Sequence, residues 1–270
     1  MAGPFMCYWL LPATRQSYIA HVVLLGRHRH THAHTIAWIR PYVIVVPKRW
    51  FTHFYIIGTV AASVALCAGL GLFGSWHIWH SVPITARLLL ANILILLHVA
   101  RRLYECLYIH VFSHKHNQMP LEFYLGACAL YAVGIPNAMY FGYVKGGHDN
   151  DLFTWPILAG LLLYCIGVGI QHHSHVVLAR LRKDPSKHNE HLIPQGGLFT
   201  YVSGPHYLGN SIIYWAIWIA LGWSHRLWPW VTLFTTVENM NHAFLAHDWY
   251  RTIFGDRYPR QRKRYLPFVL

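Results

Sequence analysis

The chain has 270 residues, of which 55% are hydrophobic and only 11% are charged. A soluble domain carries about 25% charged residues, so this composition excludes an ordinary soluble domain and indicates a membrane protein. The formal net charge is +13, but the basic residues flank apolar stretches, which argues against a nucleic-acid partner. Because basic flanks favour the cytosolic side of a membrane, the strongly basic ending over residues 251–270 predicts a cytosolic C-terminus.

A helix that crosses the hydrocarbon core of a membrane needs about 20 predominantly apolar residues. A weaker candidate at 8–25 is interrupted by Pro12 and Arg15. Six further stretches in chain order meet the requirement: 52–74, 84–109, 121–144, 152–178, 207–223 and 227–247. The pattern predicts an all-α integral membrane protein, a bundle of about seven transmembrane helices in a single membrane domain over residues 1–270.

The chain contains 22 histidines, which raises the question of a metal centre. Membrane di-iron oxygenases use HxxxH and HxxHH clusters, and such sites need a fixed set of ligands. His110 and His114 form one HxxxH, but no HxxHH occurs, and the histidine run at 26–35 is expected to lie in a solvated loop. We therefore predict no resident metal and keep a di-iron oxygenase as an alternative that iron content would identify.

Charged side chains interrupt the predicted span 84–109 in the stretch HVARRLYECLY, residues 98–108. A charge inside a span costs about 2.5–3.5 kcal/mol, so it marks a functional site or a helix end. His98 and Arg102 share a helix face, as do Arg102 and Glu105. Glu105 is the first acid of the chain. It either pairs with Arg101 or Arg102 in a structural role or belongs to a catalytic or cofactor site.

The stretch IPQGGLFTYVSGPHYLGN, residues 193–210, interrupts the apolar pattern with four glycines and two prolines. Glycines let a backbone approach a ligand closely, and the preceding Arg180 and Arg182 offer bidentate donors for phosphate. A basic segment, a glycine-rich turn and a new helix suit a phosphate-bearing ligand at the cytosolic edge of the membrane. The alternative is an ordinary re-entrant loop with basic flanks.

Four separated stretches resemble the steroid 5-alpha-reductase family. IPQGGLFTYVSGPHYLG (193–209) and HDWYRTIFGDRYPRQRKRYLPFVL (247–270) resemble its C-terminal signature, and VPKRWFTHFYI (46–56) and RRLYECLYIHVFS (101–113) resemble its polyprenal reductase branch. That branch makes dolichol precursors for protein N-glycosylation. The resemblance implies a multi-pass enzyme of the endoplasmic reticulum membrane with an NADPH site on its cytosolic side. It assigns NADPH to residues 171–270 and an isoprenoid lipid mainly to the N-terminal half.

The resemblance also implies individual site residues. The implied reaction is the NADPH-dependent reduction of the α double bond of polyprenal, for which His98, Tyr104 and Glu105 are the candidate proton donors. His247 and Tyr250 match the family's terminal His-x-x-Tyr. The remaining candidates for cofactor binding are Arg102, Gln171, His175, Arg182, Tyr201, His206 and Asn210.

The sequence departs from the steroid-reducing members at three places. No acid precedes Glu105, Val99 stands where a tyrosine is expected after His98, and Asn210 replaces a glutamate. These departures argue against 3-oxo-5-alpha-steroid 4-dehydrogenase activity and leave the proton donor unassigned. A trans-2-enoyl-CoA reductase, which FSHKHNQMPL (112–121) resembles, is a further alternative. A non-catalytic membrane scaffold is the alternative of another class.

Overall fold

The computed structural model describes residues 44–75, 78–111, 118–146, 150–182, 191–223 and 225–270. Strands β1 (Val45–Pro47) and β2 (Gln118–Pro120) pair antiparallel. The described helices are α1 (Phe51–Gly69), α2 (Ala86–Tyr104), α3 (Leu121–Ala129), α4 (Ile135–Phe141), α5 (Trp155–Arg180), α6 (Pro205–Ala220) and α7 (Trp228–Phe254). The predicted span 8–25, the histidine run at 26–35 and His114 lie outside the described residues.

Two π-helical segments extend or connect these helices. One covers Glu105–Ile109 directly after α2, and the other covers Leu130–Gly134 and joins α3 to α4. The second segment makes residues 121–141 one continuous helical rod, as the predicted span 121–144 requires. The first places Glu105 where the helix widens, and π segments of this kind are frequent at functional sites.

The six predicted spans from residue 52 onward coincide with helices, but several of their ends differ. Helix α1 ends at Gly69 instead of residue 74, because the following turn contains Gly71 and Gly74 at φ of 75° and 56°. The predicted span 227–247 ends too early, because helix α7 continues to Phe254. His247 and Tyr250 therefore lie within the helix and not at its end. Only Lys48–Gly69 and Trp155–Arg180 meet both length and hydropathy criteria for a span within the described residues.

Glycines bring α5 and α6 into close contact, and this pair shares the most extensive helix interface among the described residues. A Cβ atom added at Gly167 would lie 2.9 Å from the carbonyl oxygen of Gly209, and one at Gly160 would lie 2.7 Å from that of Ala216. Small residues at such spacing let two helix backbones approach within a membrane. The contact fixes the C-terminal half of α5 against the start of α6.

Helix α2 is held by bonds at its start and middle. The Thr85 hydroxyl accepts a hydrogen bond from the backbone N–H of Leu88, which caps the helix N-terminus. The Tyr164 hydroxyl of α5 donates to the carbonyl of Leu94 over 2.8 Å. These contacts align α2 with α5, so that the C-terminal end of α2 faces residues 171–175.

Candidate active site

The carboxylate of Glu105 is the centre of a buried ion-pair cluster. Its side chain is completely buried, and it accepts hydrogen bonds from both Arg101 and Arg102. The Arg101 contact measures 2.6 Å, and Nδ1 of His172 in α5 lies 2.9 Å from the same oxygen. Of the two roles that the sequence left open for Glu105, the structure shows the pairing, and it shows it with both arginines.

Amide side chains extend this cluster from α2 to α7. Arg101 donates to Oε1 of Gln171, and the Gln171 amide donates to Oδ1 of Asn210 over 3.1 Å. The Asn210 amide in turn lies 3.4 Å from Oδ1 of Asn239. Arg101 also contacts Nδ1 of His98 at 3.3 Å. A continuous polar connection therefore runs from α2 through α5 and α6 to α7.

A cavity of about 220 Å³ adjoins the cluster. His175 links the two, because its Nε2 atom lies 3.9 Å from Oε2 of Glu105 while its ring lines the cavity. The imidazoles of His110 and His206 flank that of His175, with ring centroids at 4.7 and 5.3 Å. The cavity is further lined by Arg182, His191, Ser203, Tyr207, Trp249 and Tyr250.

The cavity wall fits a polar, anionic ligand. In the part of the chain that the structure describes, Nε2 of His175 is buried without a hydrogen-bond partner, and such buried atoms demand an explanation. Arg182 adds a guanidinium at the rim. Ligand pockets measure about 300–1,000 Å³, so the described cavity is smaller than a typical complete ligand pocket. Residues 183–190, which connect two of its lining residues, are outside the description.

The glycine-rich loop is fastened to the C-terminal segment next to this cavity. The hydroxyl of Ser203 lies 2.6 Å from Nδ1 of His247 and 2.6 Å from the hydroxyl of Tyr258. The backbone N–H of Lys263 donates to the carbonyl of Tyr201 over 2.7 Å. The ring of Tyr250 stacks on Tyr258 with centroids 5.4 Å apart. The loop therefore forms a fixed wall between α5 and α7.

The candidate residues from the sequence fall into four groups. His98, Arg102, Glu105, Gln171 and Asn210 form the buried cluster, and His175, Arg182, His206 and Tyr250 line the cavity. His247 supports the loop from behind through Ser203. Tyr104 and Tyr201 are not brought together with the others, since their side chains are 53% and 43% exposed and contact Tyr108 and Phe268.

Sequence reasoning missed several residues of the site. Tyr55 accepts hydrogen bonds from Arg102, and Ser203 anchors both His247 and Tyr258. Tyr55 lies within the stretch VPKRWFTHFYI, which pointed to the family but marks no single residue. Ser203 lies in the glycine-rich loop, which its glycines and prolines mark, but no pattern distinguishes Ser203 itself. Only the folded contacts distinguish these two side chains from their neighbours.

One histidine cluster has metal-like spacing. Glu105, His110 and His175 place one ligand atom each within 4.8 Å of one another. Two guanidinium groups already contact the Glu105 carboxylate, and their positive charges oppose a bound cation at the same oxygens. The two guanidiniums therefore disfavour a divalent metal at Glu105, and the absence of a resident metal stays a prediction.

The fold and the site together define a helical membrane protein with a buried charge cluster next to a basic cavity. The family model described as 3-oxo-5-alpha-steroid 4-dehydrogenase matches residues 117–270. The chain belongs to this family, the steroid 5-alpha-reductase family, as the four stretches indicated. Its members are oxidoreductases, so the chain has a reductase role, and a non-catalytic scaffold is not supported.

Curated relatives extend the similarity over most of the chain. The chain is 30% identical to the polyprenal reductase of Homo sapiens, over 83% of this chain and 78% of the relative. It is 31% identical to that of Ailuropoda melanoleuca, over 84% and 79%. It is 30% identical to that of Caenorhabditis elegans, over 84% and 80%. The similarity therefore includes α1 and α2 as well as the C-terminal part.

Proposed function

We propose that this protein reduces the α double bond of polyprenal with NADPH, giving the saturated aldehyde that leads to dolichol for N-glycosylation. The observation that carries the proposal is the buried Glu105 cluster, which meets the basic cavity at His175. A reductase of an α,β-unsaturated aldehyde needs a cofactor site and a polar group for the carbonyl side by side. The similarity to three polyprenal reductases supports the choice of substrate.

The cavity is the proposed site for part of the cofactor, and NADPH would supply the hydride. Arg182 offers donors for a phosphate group, as guanidinium groups do in general. His175 offers a buried Nε2 atom at the wall that faces Glu105. Gln171 and Asn210 contribute indirectly, since they connect Arg101 at the end of α2 to α5 and α6. Arg102 contributes indirectly too, because it holds the Glu105 carboxylate and the Tyr55 hydroxyl. The Ser203 contacts with His247 and Tyr258 hold the loop that closes the cavity.

The isoprenoid chain of the substrate requires apolar surface that is open to lipid. Helices α1 and α2 present such surface, because large apolar side chains project from them without being covered. These side chains are Ile56, Val60, Val64, Ile93 and Leu97, which are 40–59% exposed. The same faces suit membrane lipids. The N-terminal half is thus the proposed lipid side, and residues 171–270 the proposed cofactor side.

The proposed location is the endoplasmic reticulum membrane, with about seven spans and the C-terminus in the cytosol. Two described helices, Lys48–Gly69 and Trp155–Arg180, are long and apolar enough to span a membrane. The basic ending after α7 supports the orientation, because Arg257, Arg260 and Lys263 are exposed and basic flanks favour the cytosol. The cofactor cavity lies next to this ending, where cytosolic NADPH has access.

The decisive experiment offers the purified protein in detergent three substrates in parallel: polyprenal, a 3-oxo-steroid and a trans-2-enoyl-CoA. NADPH deuterated at C4 replaces the ordinary cofactor, so that mass spectrometry follows the label. We expect NADPH oxidation with polyprenal and deuterium at the β-carbon of the saturated aldehyde. Turnover with the steroid or the enoyl-CoA alone would overturn the assignment. Lack of both oxidation and NADPH binding would overturn the reductase proposal itself.

A second candidate is the reduction of a 3-oxo-steroid, which the description of the matching family model favours. The α double bond of such a steroid is conjugated to a carbonyl, as it is in polyprenal, so the same hydride chemistry applies. Two features of this chain count against it. No acid precedes Glu105, and Val99 is buried at the position after His98. The parallel assay distinguishes the two substrates.

A further inference from the structure

We propose that Tyr55 of α1 is the proton donor to the carbonyl oxygen of the substrate. This role rests on the proposed reduction of a polyprenal-like aldehyde and adds the acid that the sequence left unassigned. Tyr55 is 9% exposed and lies against the C-terminal end of α2. It thereby belongs to the same buried group as Arg102 and Glu105.

The hydrogen bonds around Tyr55 leave its proton available. Nε and Nη2 of Arg102 lie 3.4 and 3.3 Å from the Tyr55 hydroxyl oxygen. A guanidinium only donates hydrogen bonds, so the phenol oxygen is the acceptor in both contacts. The guanidinium carbon lies 5.0 Å from the centre of the Tyr55 ring. The O–H of Tyr55 can therefore point to a third group, which we assign to the aldehyde oxygen.

The charge of the cluster stabilises negative charge that develops on nearby oxygens during the reaction. Arg101 and Arg102 carry two positive charges and Glu105 carries one negative charge, so the sum is 2 − 1 = +1. A fixed positive charge in a buried site stabilises the negative charge that develops on a nearby oxygen during the reaction. Arg102 contacts the oxygen of Tyr55 directly. It therefore acts on the phenolate that remains after the proton has left.

The three earlier candidates fit the donor role less well. The Glu105 carboxylate is matched by two guanidiniums, which favour its ionised form, and an ionised carboxylate cannot donate. His98 accepts at Nδ1 from Arg101, and a neutral imidazole releases its other proton less readily than a phenol. Tyr104 is half exposed and contacts Tyr108. Tyr55 has a hydroxyl that can donate a proton, it is buried, and its oxygen contacts the guanidinium of Arg102.

The apolar side of Tyr55 suits the isoprenoid part of the substrate. Gly58, one helical turn further along α1, lines a small apolar cavity together with Val99 and Tyr131. Ile56 and Val60 are exposed on the outer face of the same helix. A carbonyl head at the Tyr55 hydroxyl therefore has apolar surface for its chain on one side and the Glu105 cluster on the other.

The proposed step conserves atoms and electrons. NADPH would supply the hydride with its electron pair, which forms the new C–H bond at the β-carbon, and would be oxidised to NADP⁺. The π electrons move to the carbonyl oxygen, which takes the proton of Tyr55 as the phenol O–H bond breaks. The enol then returns this proton to the Tyr55 oxygen while its α-carbon takes a proton from water, and the hydroxide that remains is neutralised by the buffer. The sum is reduction of the enal by NADPH and one proton from water.

The first test compares Tyr55→Phe with Tyr143→Phe in single-turnover reduction of polyprenal. Tyr143 is a matched control because it is also a buried tyrosine, and it bonds to Thr85 at the start of α2, away from the cluster. We expect Tyr55→Phe to slow the step at least about 100-fold, the usual size of a general-acid effect. NADPH binding, followed by fluorescence, should stay at the wild-type level, and Tyr143→Phe should keep the wild-type rate.

The outcomes separate this inference from the proposed function. An active wild type with a Tyr55→Phe rate within about threefold of it would overturn the donor role. Loss of NADPH binding together with the rate would also overturn it, since Tyr55 would then be a structural residue. A wild type that does not reduce polyprenal would overturn the proposed function itself, and the donor role with it.

A second variant keeps the test valid if Tyr55→Phe does not fold. Replacement of Tyr55 by 3-fluorotyrosine changes the size of the side chain little but makes the phenol more acidic. A donor must be protonated to act, so activity falls on the alkaline side of the pH profile. We expect fluorination to move this fall to lower pH. An unchanged profile would overturn the donor role, because a purely structural tyrosine does not produce this shift.

Discussion

The side-chain amide of Gln171 donates a hydrogen bond to Oδ1 of Asn210 over 3.1 Å, and this contact connects the ion-pair cluster to α6. Asn210→Leu should lower the free energy of unfolding by about 1–3 kcal/mol, because the Gln171 amide then lacks its acceptor in a buried place. Denaturant unfolding in detergent measures the effect. Thr236→Val is the control, since it removes an exposed bond from Trp215 and a local bond to the carbonyl of Thr232 in the same helix. Equal losses in the two variants would contradict the prediction.

Neutralisation of Glu105 should destabilise the protein strongly. Glu105→Gln removes the counter-charge from the buried guanidinium of Arg102 and from the partly buried guanidinium of Arg101. The loss of one partner from a buried ion pair costs about 3–5 kcal/mol. Thermal unfolding in detergent should show a clear decrease of the midpoint. Asp256→Asn serves as the control, because its pair with Arg260 is almost fully exposed and should leave the midpoint unchanged. A stable Glu105→Gln protein would mean that water or another charge compensates.

Two glycines of α5 should respond in opposite ways to replacement by alanine. A Cβ at Gly167 would lie 2.9 Å from the carbonyl oxygen of Gly209 in α6, whereas a Cβ at Gly169 meets nothing within 4 Å. Gly167→Ala should therefore separate the helices and lower thermal stability. Gly169→Ala should raise it slightly, by up to about 1 kcal/mol, because alanine favours a helix more than glycine does. Similar midpoints for both variants would argue against close packing of α5 on α6.

Acid should weaken the junction between α4 and α7 through His225. Nε2 of this buried imidazole donates to the carbonyl of Met139 over 2.8 Å, and Nδ1 accepts from the backbone N–H of Trp228 over 2.9 Å. Burial lowers the pKa of His225, and the bond to Met139 opposes this shift only in part. On acidification, the unfolded chain therefore binds a proton at a higher pH than the folded protein does. The free energy of unfolding falls as the pH decreases below about 6.5.

The measurement is the thermal midpoint between about pH 8 and about pH 5, across the range where a histidine titrates. His225→Asn provides the comparison, because an asparagine oxygen can still accept from Trp228 but does not titrate in this range. The wild type should lose more stability than the variant on acidification. Parallel curves for the two proteins would show that other groups carry the pH dependence.

Loss of the Arg182 guanidinium should weaken NADPH binding. Arg182 lines the cavity and donates to the carbonyl of Val111 over 2.9 Å, whereas Arg180 is exposed and does not line it. Arg182→Gln should raise the dissociation constant about 10–100-fold, the value of a hydrogen bond to a charged group. Arg180→Gln should leave it unchanged. Equal effects would indicate a general electrostatic attraction instead of a phosphate contact.

The helical architecture was largely predictable, whereas the ends of the helices were not. Apolar runs gave the position of each described helix, because burial and lipid exposure both demand such runs. The end of α7 was placed at residue 247 on hydropathy, but the helix continues to Phe254. Its last turns carry polar residues that hydropathy assigns to a loop, and they are helical because Trp249 and Tyr250 pack against Tyr258. That contact lies outside any local pattern.

The site was predictable where a family motif, or a charge inside a predicted span, marked it. His175, Arg182, His206 and Tyr250 were named from motif positions, and the structure brings all four to one cavity. Tyr104, one of the three candidate donors, is adjacent to Glu105 in sequence, yet the helix turns its side chain outward to 53% exposure. Neighbouring residues on a helix point in directions about 100° apart, so adjacency in sequence does not imply a shared site.

The sequence by itself determined the class of this protein: a helical membrane oxidoreductase of the steroid 5-alpha-reductase family. Composition and apolar runs reflect whether lipid or water surrounds the chain, and family motifs are short local stretches. Both kinds of feature are therefore visible in the sequence alone. Only the tertiary structure decided the partners of the charged groups. Tyr55 and Arg102 are 47 residues apart in sequence but 3.3 Å apart in space. Contacts of this kind depend on how α1, α2 and α5 pack, which no local pattern contains.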